Sequence, residues 1–547
     1  VQSPSEPAPA PALDTAKLGG RAAWLALILV SLTQAMSMVD RQILAILAPR
    51  IRADLQITGA ELGLLYGTVF ALFYAIFSLP LGRLADGWIR TRLLSISILA
   101  WSGATALGGF ANSFAVLALS RLGVGVGEAS TQPAGMSLLA DSFPKHKRGM
   151  VTSWMAAATA LGLGGALVIG GLTADAWDRA WPHGGAPLGL KSWQAAFLIA
   201  ALPGLLLGFF LWRLPEPKRG GADGVATIVR PRPFHDAWTT LYAILPITCW
   251  LNLAHRRARA GTWAINLIGL ALIIAAMTGL TRWTESLSPD GQPLSLGGVR
   301  LTRHALQWLI TGLGCYVLLN WLQSLRLTDR PTFVLIARSP AMLMMLAIGA
   351  LQSIVSYGVM FWTPTFLIQH FGQTPTSVGL IFGFLSAGIG MMGPLLAGPL
   401  ADWMHKRIPS GRIYVTLGAL VISPFFGFLT YRAGDITSFY LWFVAYSITL
   451  TMWLPSVYAT YLDLVLPRMR GTVISLYILT QTILGLGLGP YGVGLVSDVN
   501  GHDYASAILN VYWVGPIVVL LLIAVIRRLP KDEARLLARA REAGEPV

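Results

Sequence analysis

Charge is scarce in this chain. Asp, Glu, Lys and Arg make up 12% of its 547 residues, about half the level of an ordinary soluble domain. Cysteine is nearly absent. Cys249 and Cys315 stand in apolar surroundings without metal-ligand spacing, which excludes a disulfide framework and a zinc site. His-Glu-x-x-His, a Gly-x-Ser-x-Gly elbow and a phosphate loop are all missing, and the carboxylates within apolar runs are too few for a metal cluster. The chain therefore reads as no enzyme, with no cofactor beyond a proton gradient. Residues 1–20, rich in Pro, Ala and Ser, lack the apolar stretch of a signal peptide and read as a disordered cytoplasmic tail.

What the chain does have is long apolar runs. Hydrophobic residues are 54% of the total, and runs of about twenty, the length of a bilayer crossing, recur throughout. In the first half they cover Ala22–Ala48, Ala60–Leu81, Leu93–Ala111, Phe114–Leu139, Met150–Thr173 and Trp193–Leu214. In the second they cover Ala341–Gln369, Ser377–Leu400, Ile413–Tyr431, Phe439–Leu462, Thr472–Val496 and Ala507–Ile526. The net charge of +15 would suggest nucleic acid in a soluble chain. Here Arg83, Arg90, Arg92, Lys145, Lys147, Lys218, Lys406, Arg407, Arg527 and Arg528 sit in short loops that fall on one side, which the positive-inside rule makes cytoplasmic. No nucleic-acid partner is indicated. Both termini are expected inside, in a plasma or bacterial inner membrane.

Between the halves lies a long connection with two further apolar runs, near residues 263–280 and 306–325, separated by a polar segment with Glu285 and Asp290. They read as an inserted transmembrane hairpin, since an even number of added spans keeps Lys406 and Arg407 inside. The apolar stretch Ala237–Leu253 would invert the second half if it crossed, so it belongs on the inner membrane surface. The expected organisation is a tail (1–20), a six-helix bundle (21–215), a cytoplasmic linker with the hairpin (216–337), a second six-helix bundle (338–528) and a cytoplasmic tail (529–547). That is an all-α polytopic chain of fourteen spans.

The halves echo one another. Gly82-Arg83-Leu84-Ala85-Asp86, trailed by Arg90 and Arg92, returns as Gly398-Pro399-Leu400-Ala401-Asp402. Pro144 to Arg148-Gly149 returns as Pro467 to Arg470-Gly471, and Gly171-Leu172-Thr173-Ala174-Asp175 as Gly494-Leu495-Val496-Ser497-Asp498. The offsets are 398 − 82 = 316 and 494 − 171 = 323 residues, so one structural unit has been used twice in parallel. Gly82-x-x-x-Asp86 with Arg90 and Arg92 resembles the signature loop of the major facilitator superfamily, and Gly398 and Asp402 sit where that superfamily repeats it. The resemblance covers nearly the whole chain, although Gly87 and Ile89 depart from the usual arginine and glycine. It implies two six-helix bundles around a central cavity. It also implies that Gly82 lets helices approach closely and that Asp86 latches the halves on the cytoplasmic side. Within the superfamily the chain resembles the Spinster group of lysolipid and sphingolipid transporters, through Asp40-Arg41, Arg121 to Gly127-Glu128-Ala129, and Trp193-Gln194-Ala195-Ala196-Phe197.

Ionisable groups inside a span are costly, so by default they mark function. The first half holds Asp40, Arg41, Arg121 and Glu128 well inside apolar runs. From Arg21 to Asp40 is roughly 28 Å of helix at 1.5 Å per residue, close to a full crossing, yet Ile43 to Ala48 continues the run. Asp40-Arg41 is therefore placed in the cavity rather than at the interface. Arg121 and Glu128, seven apart, share a helix face. Asp40 and Glu128 are the candidate proton-coupling carboxylates; Arg41 and Arg121 are their charge partners and candidate anion hooks. Gly123, Gly125 and Gly127 lie in an apolar helix with no preceding strand and read as helix packing. The second half offers Tyr357, Trp362, Trp453, Tyr458, Tyr477, Thr480 and Gln481 as possible cavity lining. A cavity charged on one wall and largely apolar on the other suits a substrate with a charged head and an apolar tail. The expectation is a monomeric, proton-coupled, alternating-access transporter of a lysolipid or sphingolipid-like molecule. Multidrug efflux and organic- or sugar-acid transport are the alternatives.

Overall fold

Helices dominate because the apolar runs must satisfy every backbone amide internally. The computed structural model describes residues 18–144, 148–182, 185–219, 232–289, 294–296, 299–466 and 469–545. Most of the N-terminal tail, Lys145, Lys147 and Asp290, and the side chains of Asp86 and Asp402, lie outside the described residues.

The first bundle consists of α1 (Arg21–Leu55), α2 (Gly59–Gly63, Leu64–Thr68, Val69–Gly87), α3 (Arg90–Gly108), α4 (Phe114–Glu128, Thr131–Ser142), α5 (Arg148–Ala180) and α6 (Ser192–Arg213). The connection forms α7 (Pro233–Ile244), α8 (Thr248–His255), α9 (Ala260–Leu287), β1 (Leu294–Leu296), β2 (Val299–Leu301), α10 (Arg303–Thr328) and α11 (Arg330–Ala337). The second bundle holds α12 (Pro340–His370), α13 (Pro375–Ser377, Val378–Phe382, Gly383–His405) and α14 (Gly411–Tyr431). It continues with α15 (Ile436–Thr451, Trp453–Asp463), α16 (Arg470–Thr480, Gln481–Leu486, Gly487–Val499) and α17 (Tyr504–Asn510, Val511–Val514, Gly515–Ala534). A short α18 (Leu536–Glu542) follows.

Twelve helices among the described residues are long and apolar enough to cross a membrane: α1, α2, α5, α6, α9, α10 and α12 to α17. Helices α3 and α4 pack among them in the first bundle. Local signals set the starts. Thr58 and Glu61 form a capping box at α2, and Ser113, Thr302 and Asp435 accept first-turn amides at α4, α10 and α15. Helices α2 and α13 widen into π turns at Leu64–Thr68 and Val378–Phe382, 378 − 64 = 314 residues apart, so the repeat extends to backbone irregularities.

The connection is helical where apolar runs predict it. Helices α9 and α10 pair as an antiparallel hairpin, tied at the tip by the β1–β2 ribbon, with Leu294 opposite Leu301. Helices α7 and α8 meet at 103° and neither alone is long enough to cross. Asn266 of α9 binds this region together. Its Nδ2 donates to Asn320 Oδ1 and Gln323 Oε1 of α10, both at 2.8 Å. Its Oδ1 accepts from Trp250 of α8 (2.8 Å) and Tyr316 (2.7 Å). Helix α10 in turn lies against both bundles. Gln307 Nε2 donates to the Gly487 carbonyl of α16 (3.2 Å), and its Oε1 lies 2.6 Å from the Thr68 hydroxyl of α2.

The bundles meet along α1–α12, α2–α16 and α5–α13. Contact crowds toward the end that carries Arg50. There a Cβ on Gly63 would lie 2.6 Å from the Pro490 carbonyl of the opposite bundle, and one on Gly67 2.1 Å from that of Leu486. Only glycine permits backbones this close.

Candidate functional site

Helix α1 carries the interruption Asp40-Arg41 in an otherwise apolar run. Consecutive side chains on a helix diverge, so the two acidic and basic groups leave toward different neighbours. Asp40 turns into the first bundle, where Oδ1 accepts from the Thr105 hydroxyl of α3 at 3.0 Å. Arg121 of α4 donates Nη1 to the Asp40 backbone carbonyl at 2.7 Å, and its guanidinium lies 5.5 Å from the Phe197 ring centroid of α6. Arg41 turns the other way and donates Nε to Glu128 Oε2 of α4 at 2.7 Å. The Ser37 hydroxyl, one turn before Arg41, donates to the same oxygen at 2.8 Å.

Two carboxylates and two guanidinium groups thus form one cluster across α1 and α4. Buried polar atoms ordinarily all find partners. Here Asp40 Oδ2, Glu128 Oε1 and Arg121 Nε and Nη2 are buried with no hydrogen-bond partner among the described residues. Such under-bonded charge is free to change partners, and it concentrates where function does. Burial also separates the roles. Glu128 is 0% exposed, Asp40 1% and Arg121 2%, whereas the Arg41 side chain is 21% exposed. Arg41 is the member of the cluster open to the space between the bundles. Its guanidinium carbon sits 4.7 Å from the ring centroids of both Phe70 and Tyr74 of α2, a cation–π seat that fixes the fork.

Of the four ionisable residues predicted from sequence, the structure therefore joins all four, but in different pairs. Shared helix face suggested Arg121 beside Glu128; the hydrogen-bonded ion pair is Arg41–Glu128. Ser37, Phe70, Tyr74 and Thr105 escaped the sequence reading. Ser37 is legible in retrospect, four residues before Arg41 on the same face of α1. Thr105 and the aromatic seat have no sequence signal, because nothing local ties them to α1.

The second-half residues divide. Tyr357, Tyr458 and Gln481 are partly exposed, and Gln481 Nε2 lies 3.5 Å from the Tyr357 hydroxyl. Trp362 is buried, donates Nε1 to the Pro490 carbonyl (2.8 Å) and stacks on Tyr504. Trp453 and Tyr477 are buried in the core of the second bundle. The Thr480 hydroxyl bonds to the Leu476 carbonyl of its own helix at 2.8 Å. Those four are packed among the helices in this arrangement, with the Tyr477 hydroxyl buried and without a hydrogen-bond partner among the described residues.

The signature loop is knit into the first bundle. Arg90 is fully buried and reaches Asp141 (2.5 Å), Ser137 (2.9 Å) and Glu216 (2.7 Å). Arg92 lies over the Trp212 ring at 5.5 Å. The described partners of Arg90 and Arg92 thus belong to α4 and to the α6 region, not to the second bundle. The close approach expected at Gly82 is also absent. A Cβ there would meet Pro133 at 3.8 Å, and one at Gly398 would meet nothing within 4 Å among the described residues.

Residues 30–490 match the family model described as the Major Facilitator Superfamily. An MFS-type efflux pump of Mycolicibacterium smegmatis (strain ATCC 700084 / mc(2)155) is 24% identical over 507 residues, 92% of each chain. The sphingosine-1-phosphate transporter SPNS2 of Danio rerio is 29% identical over 198 residues, 36% of each chain. Among solved structures, a bacterial homologue of the human lysosomal transporter Spinster, inward-facing and unoccupied, superposes with a TM-score of 0.62 at 19% identity. That alignment covers 96% of this chain and 98% of the other.

Proposed function

The chain belongs to the major facilitator superfamily, and from that premise we propose that it is a proton-coupled secondary transporter of an amphipathic molecule with an anionic head, of the lysolipid or sphingolipid kind. The observation that carries this reading is the buried cluster in which Arg41 alone is open to the inter-bundle space, while its Nε is held by Glu128. Its Nη atoms form a fork suited to a phosphate or carboxylate. A substrate anion and Glu128 compete for one guanidinium. Protonation of Glu128 weakens its hold on Arg41 and frees the fork for the substrate, so proton and substrate binding are linked. Asp40, beside Thr105 and within the field of Arg121, supplies the second protonation site. The partly exposed Tyr357 and Tyr458 of the second bundle give the apolar tail a wall without charge.

The membrane-embedded chain then has fourteen spans, counting α3, α4 and the α9–α10 hairpin, with 21–215 and 338–528 as the moving bundles and 216–337 as the linker. It works as a monomer without a cofactor other than the proton gradient. The Arg83 end and both termini are cytoplasmic, in a plasma or bacterial inner membrane, a reading supported by the basic residues Arg83, Arg90, Arg92, Arg407, Arg527 and Arg528 near the ends of the apolar runs. Crowding at the Arg50 end makes the arrangement closed outward. The signature-loop residues Gly82, Asp86, Arg90, Arg92, Gly398 and Asp402 form the cytoplasmic gate when that end closes.

The efflux-pump relative aligned over 92% of both chains favours a second reading, export of amphipathic drugs through the same cavity. Uptake of labelled lysophospholipid into proteoliposomes, with and without a pH gradient, tests the proposal. Gradient-dependent uptake lost in Asp40→Asn is expected. No lipid movement in vesicles that transport a drug would move the efflux reading to the front.

A further inference from the structure

The repeated pair Gly171-Leu172-Thr173-Ala174-Asp175 and Gly494-Leu495-Val496-Ser497-Asp498 takes no part in the charge cluster, yet the structure gives both copies the same contacts. Asp498, near the end of α16 in the second bundle, accepts from the first two amides of α2 in the first bundle. Oδ1 takes Gly59 N at 3.0 Å and Oδ2 takes Ala60 N at 2.9 Å. Asp175, near the end of α5 in the first bundle, accepts from the first amide of α13 in the second bundle, that of its second residue because Pro375 has none, with Thr376 N at 3.0 Å from Oδ2. Each aspartate therefore caps a helix of the opposite bundle. The glycines four residues earlier make this possible. A Cβ on Gly171 would lie 2.4 Å from the Pro375 carbonyl, and one on Gly494 2.4 Å from the Gly59 carbonyl.

Helix α1 braces both sites from its last turns. Arg50 Nη2 pairs with Asp175 Oδ1 at 3.0 Å and Arg52 Nη2 with Asp498 Oδ1 at 3.7 Å. The other first-turn amides are satisfied within their own bundles, by Thr58 Oγ1 for Glu61 N (3.2 Å) and by Thr374 Oγ1 for Ser377 N (3.1 Å). Breaking the bundle contact thus leaves only the amides served by Asp498 and Asp175 without their acceptors. A carboxylate at a helix N-terminus combines direct hydrogen bonds with favourable dipole interaction.

We propose that Asp175 and Asp498 are symmetry-related latches that hold the outer mouth closed, each by capping a helix of the opposite bundle, and that both release when the cavity opens outward. This rests on the alternating-access part of the function proposed above, but not on the substrate or on protons. The two sides are not equal. On the Asp498 side the hairpin adds the Arg303–Glu61 pair and a His304–Tyr491 bond of 2.7 Å, so the Asp175 side is the first to part.

Spin-label distances in the full chain test the latches. One outer pair is Ala53→Cys with Asn500→Cys and another is Ala180→Cys with Gln369→Cys; an inner pair is Arg83→Cys with His405→Cys. All six positions are exposed. In Asp175→Asn/Asp498→Asn the population with long outer distances is expected to rise by roughly five- to tenfold per carboxylate over the parent. Gly494→Ala, which wedges the same contact, shifts the populations in the same direction and serves if the asparagine variant does not fold. Unchanged outer distances in the variant that folds overturn the latches. Outer lengthening without inner shortening keeps the latches and overturns rigid alternation of the bundles.

Discussion

Replacing Glu128 by Gln removes the charge that holds Arg41 while keeping an oxygen of the same reach. Glu128 Oε2 accepts two bonds, from Ser37 Oγ at 2.8 Å and Arg41 Nε at 2.7 Å. Bonds to a charged acceptor are worth about 1.5–3 kcal/mol and neutral ones about 0.5–1.5 kcal/mol, so each weakens by about 1 kcal/mol. The Arg41 side chain is 21% exposed, and solvent screening trims its share. The neutral side chain also escapes the desolvation cost of a buried carboxylate, so the fold is expected to survive. Arg41 is released by at most about 1 kcal/mol, which raises affinity for an anionic head up to about fivefold. In the wild type, acidification protonates Glu128 and does the same, so affinity rises as pH falls, by at most about tenfold per pH unit for one linked proton. Calorimetric titration of a lysophospholipid between acid and alkaline pH reads both effects. Glu128→Gln binds tightly and without pH dependence. If the variant keeps the wild-type affinity and the wild-type slope, Glu128 and the substrate do not compete for Arg41.

Three further outcomes follow from other contacts. Asp40→Asn keeps the Thr105 bond and the fold but abolishes gradient-driven transport; wild-type accumulation by that variant would contradict a protonation role. Asn266→Leu removes, around a side chain that is 0% exposed, the donor to Asn320 Oδ1 and Gln323 Oε1 and the acceptor shared by Trp250 and Tyr316. At about 1–3 kcal/mol for a buried group left unpaired, proteolysis of α7 to α10 should accelerate at least about fivefold while transport residues stay intact, and unchanged cleavage would show that the network does not hold the hairpin. Gly67→Ala inserts a Cβ 2.1 Å from the Leu486 carbonyl, costing about 1–3 kcal/mol through overpacking, seen as a lower melting temperature; an unchanged one would mean that α2 and α16 do not approach this closely.

Much of this molecule was legible in its sequence, because apolar length and basic loops are one-dimensional signals. The inserted runs near 263–280 and 306–325 lie inside the helices Ala260–Leu287 and Arg303–Thr328, whose charged and polar ends the hydropathy pattern undercounts. Asp40, Arg41, Arg121 and Glu128 stood out because ionisable groups in apolar runs are rare. Their pairing did not, since it depends on how α1 rotates against α4. The Gly171–Asp175 and Gly494–Asp498 repeat was visible, but its work was not: each aspartate caps a helix more than 200 residues away, from 175 to 376 and from 498 to 59. Thr105 bonds to Asp40 across 65 residues and looks like any small polar residue in a span. Which second-half aromatics pack and which face the cavity is not legible in sequence, because Trp362 and Tyr477 fill cores as readily as they line cavities.

The central claim is that the charge cluster exchanges protons as substrate moves. Proteoliposomes loaded with a pH-sensitive dye and given lysophospholipid read this directly. Wild type is expected to change lumenal pH in step with lipid movement, and Asp40→Asn and Glu128→Gln to show no such change. Lipid movement without any pH change in wild type, or the same change in all three proteins, would contradict the account.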